Sequence, residues 1–351
     1  MTGPQPSANA AVTNLMLTTS LPRERPMLPP LIFSPLYRHY LWGGRRFETF
    51  LNRQLSEAGP YAESWELVDR GEDQSVVRAG PLAGQRLGDL LREHPTELLG
   101  GSSQPAAFPL LFKFLDAHKV LSVQVHPDDQ AAARRTPPDR GKTEAWYIVE
   151  AEPGSRIYAG LQDGVDRQSL AKGIESGRCD ELLHAFEPAP GDCIFIPAGT
   201  VHAIGAGLVV AEIQQSSDVT FRLYDWNRVD ADGQPRPLHL EEGLSAARFT
   251  GPISAAVKQP TDDPAVKRMV NCPYFSFDEV TPTSGWQTGG GSCEFLAVLA
   301  GEARLSDQWS LPPLQRGDCL LLPAALEPQW LTCRAVAAEG CRLLRVTVPR
   351  G

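Results

Sequence analysis

Gly191-Asp-Cys-Ile-Phe-Ile-Pro-Ala-Gly199 and Gly317-Asp-Cys-Leu-Leu-Leu-Pro-Ala-Ala325 are one phrase written twice in the same chain. Each offers a Gly-Asp turn, a short apolar run and a Pro-small-small exit. Each also follows an apolar run headed by glutamate, Glu144-Ala-Trp-Tyr-Ile-Val149 in the first case and Glu294-Phe-Leu-Ala-Val-Leu299 in the second. A turn, a strand and a sharp exit repeated in this way are what a β-barrel wall needs, so the chain carries two copies of one β unit. The copies are unequal. The position of His202 in the first is Pro328 in the second, and no histidine follows His239. The second unit is therefore expected to be structural.

Outward from these phrases, short apolar or alternating runs are broken by Gly, Pro, Asp and Asn: Pro109 to Leu115, Val120 to His126, Ala145 to Val149, Asp192 to Pro197, Leu208 to Gln214 and Val219 to Tyr224. Strands at this spacing predict a mainly β protein built of barrels or sandwiches. Amphipathic helical patterns are fewer: Leu87 to Leu99, Asp128 to Arg135, roughly Arg167 to Phe186, and Leu238 to Ala247. The expected division is a disordered Pro/Ser/Ala/Thr-rich extension over residues 1–30, a catalytic β unit with helical insertions over 31–250, and a C-terminal β unit without a metal site over 251–351.

With 351 residues, 42% of them apolar, the chain can bury two cores of ordinary size. A formal charge of -9 excludes a general nucleic-acid binder and a basic membrane-surface protein, since both require a positive field. The seven cysteines form no C-x-x-C pair, and an odd count in an enzyme-sized chain predicts reduced thiols and a cytoplasmic location. No run is long and apolar enough for a membrane helix.

Three separated segments carry chemistry: Ser122-Val-Gln-Val-His126, Gly141-Lys-Thr-Glu144 and Pro197-Ala-Gly-Thr-Val-His202. Alternation along a strand places Ser122, Gln124 and His126 on one face and Val123 and Val125 on the other. Two imidazoles, a carboxylate and an amide suit a single metal ion. Gln124 is either the fourth ligand or a group that positions substrate or a water. Lys113, Ser122, Lys142 and Arg222 lie in or beside the same motifs and offer the mixture of cations and hydroxyl that a phosphate needs. Lys113 interrupts the apolar run Pro-Leu-Leu-Phe-Lys-Phe-Leu, so its charge must be functional or paired.

The order of motifs resembles the type I phosphomannose isomerases of the cupin superfamily, in their short bacterial form. The likeness runs through Leu36-Tyr-Arg-His-Tyr-Leu-Trp-Gly-Gly44, Ala62-Glu-Ser-Trp-Glu66, Pro109-Leu-Leu-Phe-Lys113, Leu121-Ser-Val-Gln-Val-His-Pro127, Gly141-Lys-Thr-Glu-Ala-Trp146, Pro197-Ala-Gly-Thr-Val-His-Ala203 and Arg222-Leu-Tyr-Asp-Trp226. It is strong over residues 31–247 and weak beyond. It implies two cupin-type jelly-roll barrels with a few short helices between and around them. It also implies one zinc ion per chain, held by Gln124, His126, Glu144 and His202, and a small phosphosugar as substrate, with the protein a monomer or weak homodimer. The implied reaction is interconversion of mannose 6-phosphate and fructose 6-phosphate by proton transfer through an enediol.

For that reaction the resemblance makes Arg222 the catalytic arginine, stabilising the enediolate or steering substrate. Glu212, in the apolar run Leu208-Val-Val-Ala-Glu-Ile-Gln214, matches a pocket glutamate. It is a candidate base with a carboxyl raised by burial, or else a member of an ion pair. Lys142 is a second candidate for proton transfer, and Ser122 with Lys113 would hold substrate. One departure stands out. Some relatives carry a histidine immediately before this lysine, where this chain has Gly141. Two rival readings share the ligand set: an iron-dependent cupin dioxygenase, which uses two histidines and a carboxylate, and a non-catalytic sugar-phosphate-binding cupin.

Overall fold

The repeated phrase folds as one hairpin built twice. The computed structural model describes residues 1–3, 27–102, 104–229, 233–336 and 340–349. In it, Cys193–Ile196 pairs with Glu144–Ala151 so that Ile196 lies opposite Glu144, and Cys319–Leu322 pairs with Glu294–Ala300 so that Leu322 lies opposite Glu294. Gly191 and Gly317 open the two hairpins at φ of +94° and +88°, a conformation that a side chain would strain. Their N–H groups donate to the carbonyls of Ile148 and Val298 respectively.

Each copy belongs to a pair of open antiparallel sheets rather than to a closed barrel. In the first half, a six-stranded sheet runs Cys193–Ile196, Glu144–Ala151, Leu208–Gln215, Leu110–Ala117, Glu63–Leu67 and Leu36–Arg38. A five-stranded sheet runs Leu183–Phe186, Ile157–Leu161, His202–Ile204, Val123–Val125 and Phe221–Tyr224. The second half pairs a six-stranded sheet, including Val266–Asn271, Ser276–Val280, Arg342–Thr347 and Glu294–Ala300, with a four-stranded one.

Alternation assigns each side chain to a layer. From the large sheet of the first half, Leu115, Trp146, Ile148, Ile194 and Val210 face Ile157, Ala159 and Ile204 of the small sheet. Phe112, Phe114, Tyr147, Ala211 and Ile213 point the opposite way and meet Phe277, Phe295, Leu321 and Val346 of the second half, so the two large sheets lie back to back over one shared core. The Phe112 and Phe295 rings sit 4.8 Å apart at its centre. Helices Arg167–Glu175 and Leu240–Ala246 cover the outer face of the small sheet, burying Leu170, Ile174 and Leu244 against Val123, Val125 and Ala203. Asp166 caps the first of them in a reciprocal box with Ser169.

Several sequence expectations are corrected. The helix read over Arg167 to Phe186 ends at Glu175; Gly177 turns the chain at φ +73°, a 3₁₀ turn covers Cys179–Leu182, and Leu183–Phe186 is an edge strand paired with Ile157–Leu161. Leu87 to Leu99 is two helices, Leu87–Glu93 and Pro95–Leu99, because Pro95 cannot continue the first. The extension read over residues 1–30 falls largely outside the described residues, but Leu28 is buried in the shared core and Leu31 exchanges two hydrogen bonds with Leu321 of the second half. All seven cysteines are free thiols. No helix among the described residues is long and apolar enough to cross a membrane.

The shared core makes the halves interdependent. Phe295→Ala is expected to destabilise the whole chain by about 3–5 kcal/mol, the usual cost of emptying a phenylalanine site in a packed core, as read from denaturant unfolding. A loss below about 1 kcal/mol would contradict the shared core.

Candidate active site

Gln124 sits at the centre of the inner face of the small sheet, with His202 opposite it on one neighbouring strand and Arg222 on the other. The large sheet faces it with a second register set: Lys113 opposite Glu212, and Gln214 opposite Glu144. The odd–even pattern that sends Val123 and Val125 into the outer core is what turns these polar groups inward.

His126, Glu144 and His202 are almost wholly buried, and one ligand atom from each lies within 4.8 Å of the others. His126 Nδ1 donates to the Val219 carbonyl at 2.8 Å and His202 Nδ1 to that of Thr200 at 2.9 Å. Both Nε2 lone pairs therefore face the cluster. Burial pushes both imidazoles below the usual histidine range, His126 far below it because Lys142 adds to the effect. Burial alone would raise the Glu144 carboxyl; Lys142, then His202 and Lys113, outweigh it and hold it below the usual range. Two neutral imidazoles and a carboxylate are the protonation states that ligation requires. Glu144 Oε1 is buried without a hydrogen-bond partner, 3.3 Å from His202 Nε2, an orphan that a divalent cation would satisfy. The donor set fits a metal ion. Gln124 Nε2 lies 3.2 Å from His202 Nε2, which puts its amide at the border of the cluster.

From the cluster a line of alternating charge crosses the interior. Lys142 Nζ bonds Glu144 at 2.6 Å and reaches Glu212 at 3.4 Å; Lys113 Nζ reaches Glu212 at 3.3 Å and Glu63 at 3.4 Å. Burial works against the Lys113 ammonium, but Glu212, Glu63 and Glu144 together outweigh it and hold its pKa above the usual lysine range. Glu63, Lys113, Glu212 and Lys142 form one side of a cleft of about 340 Å³ whose walls also include Ser122, Gln124, Arg222, Arg236, Trp42 and Trp65. His126, Glu144 and His202 lie behind this lining.

Residues 31–152 match the family described as phosphomannose isomerase type I, catalytic domain. Mannose-6-phosphate isomerase ManA of Bacillus subtilis is 35% identical over 306 residues, covering 85% of this chain and 94% of the relative. The chain belongs to the type I phosphomannose isomerase family. The Streptococcus mutans mannose-6-phosphate isomerase is 33% identical over 86% of this chain and 94% of its own length. The crystal structure of the mannose 6-phosphate isomerase from Bacillus subtilis superimposes with a TM-score of 0.82, 29% identical over 91% of this chain and 99% of that one.

Set against this family's motifs, all nine sequence-derived site residues converge on one place: Lys113, Ser122, Gln124, Lys142, Glu212 and Arg222 line the cleft, with the three ligand candidates behind. Glu212 has two ammonium groups beside it, Lys113 Nζ at 3.3 Å and Lys142 Nζ at 3.4 Å. Glu63, Trp65 and Arg236 were missed as site residues. Glu63 and Trp65 had a signal, since they alternate on one face of the Ala62 to Glu66 motif; Trp65 Nε1 donates to Glu63 at 2.6 Å. Arg236 comes from a loop with no periodicity and had none.

Gly141 explains the family position at which this chain departs. A Cβ there would lie 2.5 Å from Asp129 N and 2.6 Å from Asp128 C, while Gly141 N donates to the Asp129 carboxylate at 2.8 Å. The segment carrying Lys142 is pressed against the start of helix Asp129–Ala133, leaving no room for a histidine. Gly141→Ala is expected to cost about 1–3 kcal/mol in thermal unfolding and to displace Lys142, lowering turnover more than substrate affinity. An alanine variant indistinguishable in both would show that the close approach is unimportant.

Proposed function

We propose that this protein is a zinc-dependent aldose–ketose isomerase that interconverts mannose 6-phosphate and fructose 6-phosphate by proton transfer through an enediol. The observation that carries this reading is a buried two-histidine, one-carboxylate cluster joined by Lys142 to a cation-lined cleft, in a chain of this family.

His126, Glu144 and His202 would hold the ion, with Gln124 as fourth ligand or as a contact to the sugar. Bound there, zinc would act as a Lewis acid toward the substrate oxygens. Ligation uses the electron pairs of His126 Nε2 and Glu144, the two groups that Lys142 contacts at 3.3 and 2.6 Å, and so leaves Lys142 with Glu212 as its partner. In the forward direction one proton moves from C2 to C1 and another from O2 to O1. We assign the carbon-bound proton to Glu212, a carboxylate on the cleft wall, and the oxygen-bound one, given and then recovered, to the Lys142 ammonium. Arg222 stabilises negative charge on the enediolate, and Ser122 and Lys113 hold the substrate. The iron-oxygenase reading shares the cluster but leaves the lysines and arginines of the cleft without a role.

The test is a coupled assay of mannose 6-phosphate conversion with metal analysis. Activity is expected to vanish with chelator and return with zinc, at one metal per chain; no activity after zinc is restored would overturn the reading. Arg222→Ala is expected to lower turnover by roughly a hundredfold or more while metal content stays near one per chain. His202→Ala is expected to empty the site. Loss of metal from the Arg222 variant would contradict the role given to it.

A further inference from the structure

The loop after the Phe221–Tyr224 strand brings more positive charge to the cleft than the reaction scheme uses. Asp225, whose side chain is only 6% exposed, accepts from two guanidiniums. Arg236 approaches it through both Nε, at 2.7 Å, and Nη2, and Arg228 grips it from the other side. Arg228 also donates to the Asp225 and Val120 carbonyls and lies outside the cleft lining, whereas Arg236 forms part of that lining beside Arg222. Arg222 Nη1 donates to the Pro237 carbonyl, but its Nε is buried with no hydrogen-bond partner among the described residues.

Three guanidiniums against one carboxylate leave +2 at this end of the cleft; the exposed Asp218 on the rim lowers the sum to +1. Burial, and after it the neighbouring Arg236, depresses the Arg222 guanidinium, so the two cations are held together against their own repulsion. A fixed pair of like charges lining a cavity is the arrangement that an anion relieves, and a guanidinium oriented by a carboxylate offers its fork with little entropy left to lose. The position suits a distal group. Ser122 lies four residues from His126 on the same face, roughly 13 Å along an extended chain, which gives room for a six-carbon chain with a contact at each end.

We propose that Arg236 is a phosphate-binding residue, aimed by Asp225 so that with the Ser122 hydroxyl it forms the cradle for the phosphate dianion at the end of the cleft away from His126, while Arg222, opposite Gln124, is left for the enediolate. The assignment rests on the isomerase reading for its substrate, and on the geometry alone for its anion.

The test uses inorganic phosphate as the probe, by calorimetry on the full chain and as a competitive inhibitor, together with steady-state kinetics. Arg236→Met keeps the apolar stem and removes the charge at a side chain that is 36% exposed, so folding should survive, which thermal unfolding checks. It is expected to weaken phosphate binding and raise KM at least about tenfold while kcat falls much less; Arg236→Lys should recover part of both effects. Phosphate affinity and KM unchanged in Arg236→Met, with turnover intact, would overturn the cradle and leave the isomerase reading standing. Phosphate binding that depends on Arg236 in a chain without isomerase activity would support the cradle and remove the isomerase reading.

Discussion

Five alternating charges buried between the sheets of the first half, Glu63, Lys113, Glu212, Lys142 and Glu144, set the terms for everything around them. A single buried charge costs several kcal/mol unless partners surround it, so each member of this line depends on the next. Three carboxylates against two ammonium groups leave a charge of -1, and the orphaned oxygen of Glu144 marks where the imbalance lies. A divalent cation among neutral imidazoles would convert -1 to +1. Such an ion would make this part of the interior more favourable to an anionic substrate.

The second half shows what the same hairpin does without that requirement. Arg345 stands opposite Asp278 and Leu296 in the register where Glu212 stands opposite Lys113 and Trp146, so the cross-strand pair is kept with its polarity reversed. Arg345 bonds Asp278 at 2.6 Å and reaches Glu294, the counterpart of Glu144, at 3.7 Å beneath the Trp286 ring. Burial raises the Glu294 carboxyl, whereas Lys142 and its neighbours lower that of Glu144. Pro328 stands where the first half has His202, and the charged groups Asp278, Arg345 and Glu294 pair with one another. The second half's contribution is the back-to-back sheet that closes the shared core and, through Leu31 and Leu321, fastens the entry to the first half.

What was legible in the sequence was what depends on near neighbours. Alternation placed Gln124 and His126 on one face, the repeated phrase revealed two hairpins, and a lysine inside Pro109 to Leu115 announced that it needed partners. What was illegible depends on pairing across the chain. Leu183–Phe186 continued an amphipathic pattern and became a strand only because Ile157–Leu161 offers it an edge. Lys113 declared a need for partners without naming Glu63, fifty residues earlier, and Arg236 acquires meaning only when the Asp225 loop folds it back over the cleft. The family resemblance supplied the cluster as a set, and the geometry supplied the line of charges that connects it to the cleft.

The most direct measurement of the central claim is anomalous diffraction at the zinc absorption edge from crystals of the protein as purified. The account predicts one peak per chain, roughly 2.0–2.2 Å from His126 Nε2, His202 Nε2 and a Glu144 oxygen, with the Lys142 ammonium no longer bonded to Glu144. A peak elsewhere, or crystals of active enzyme in which Lys142 still bridges His126 and Glu144 with no ion between the histidines, would contradict it.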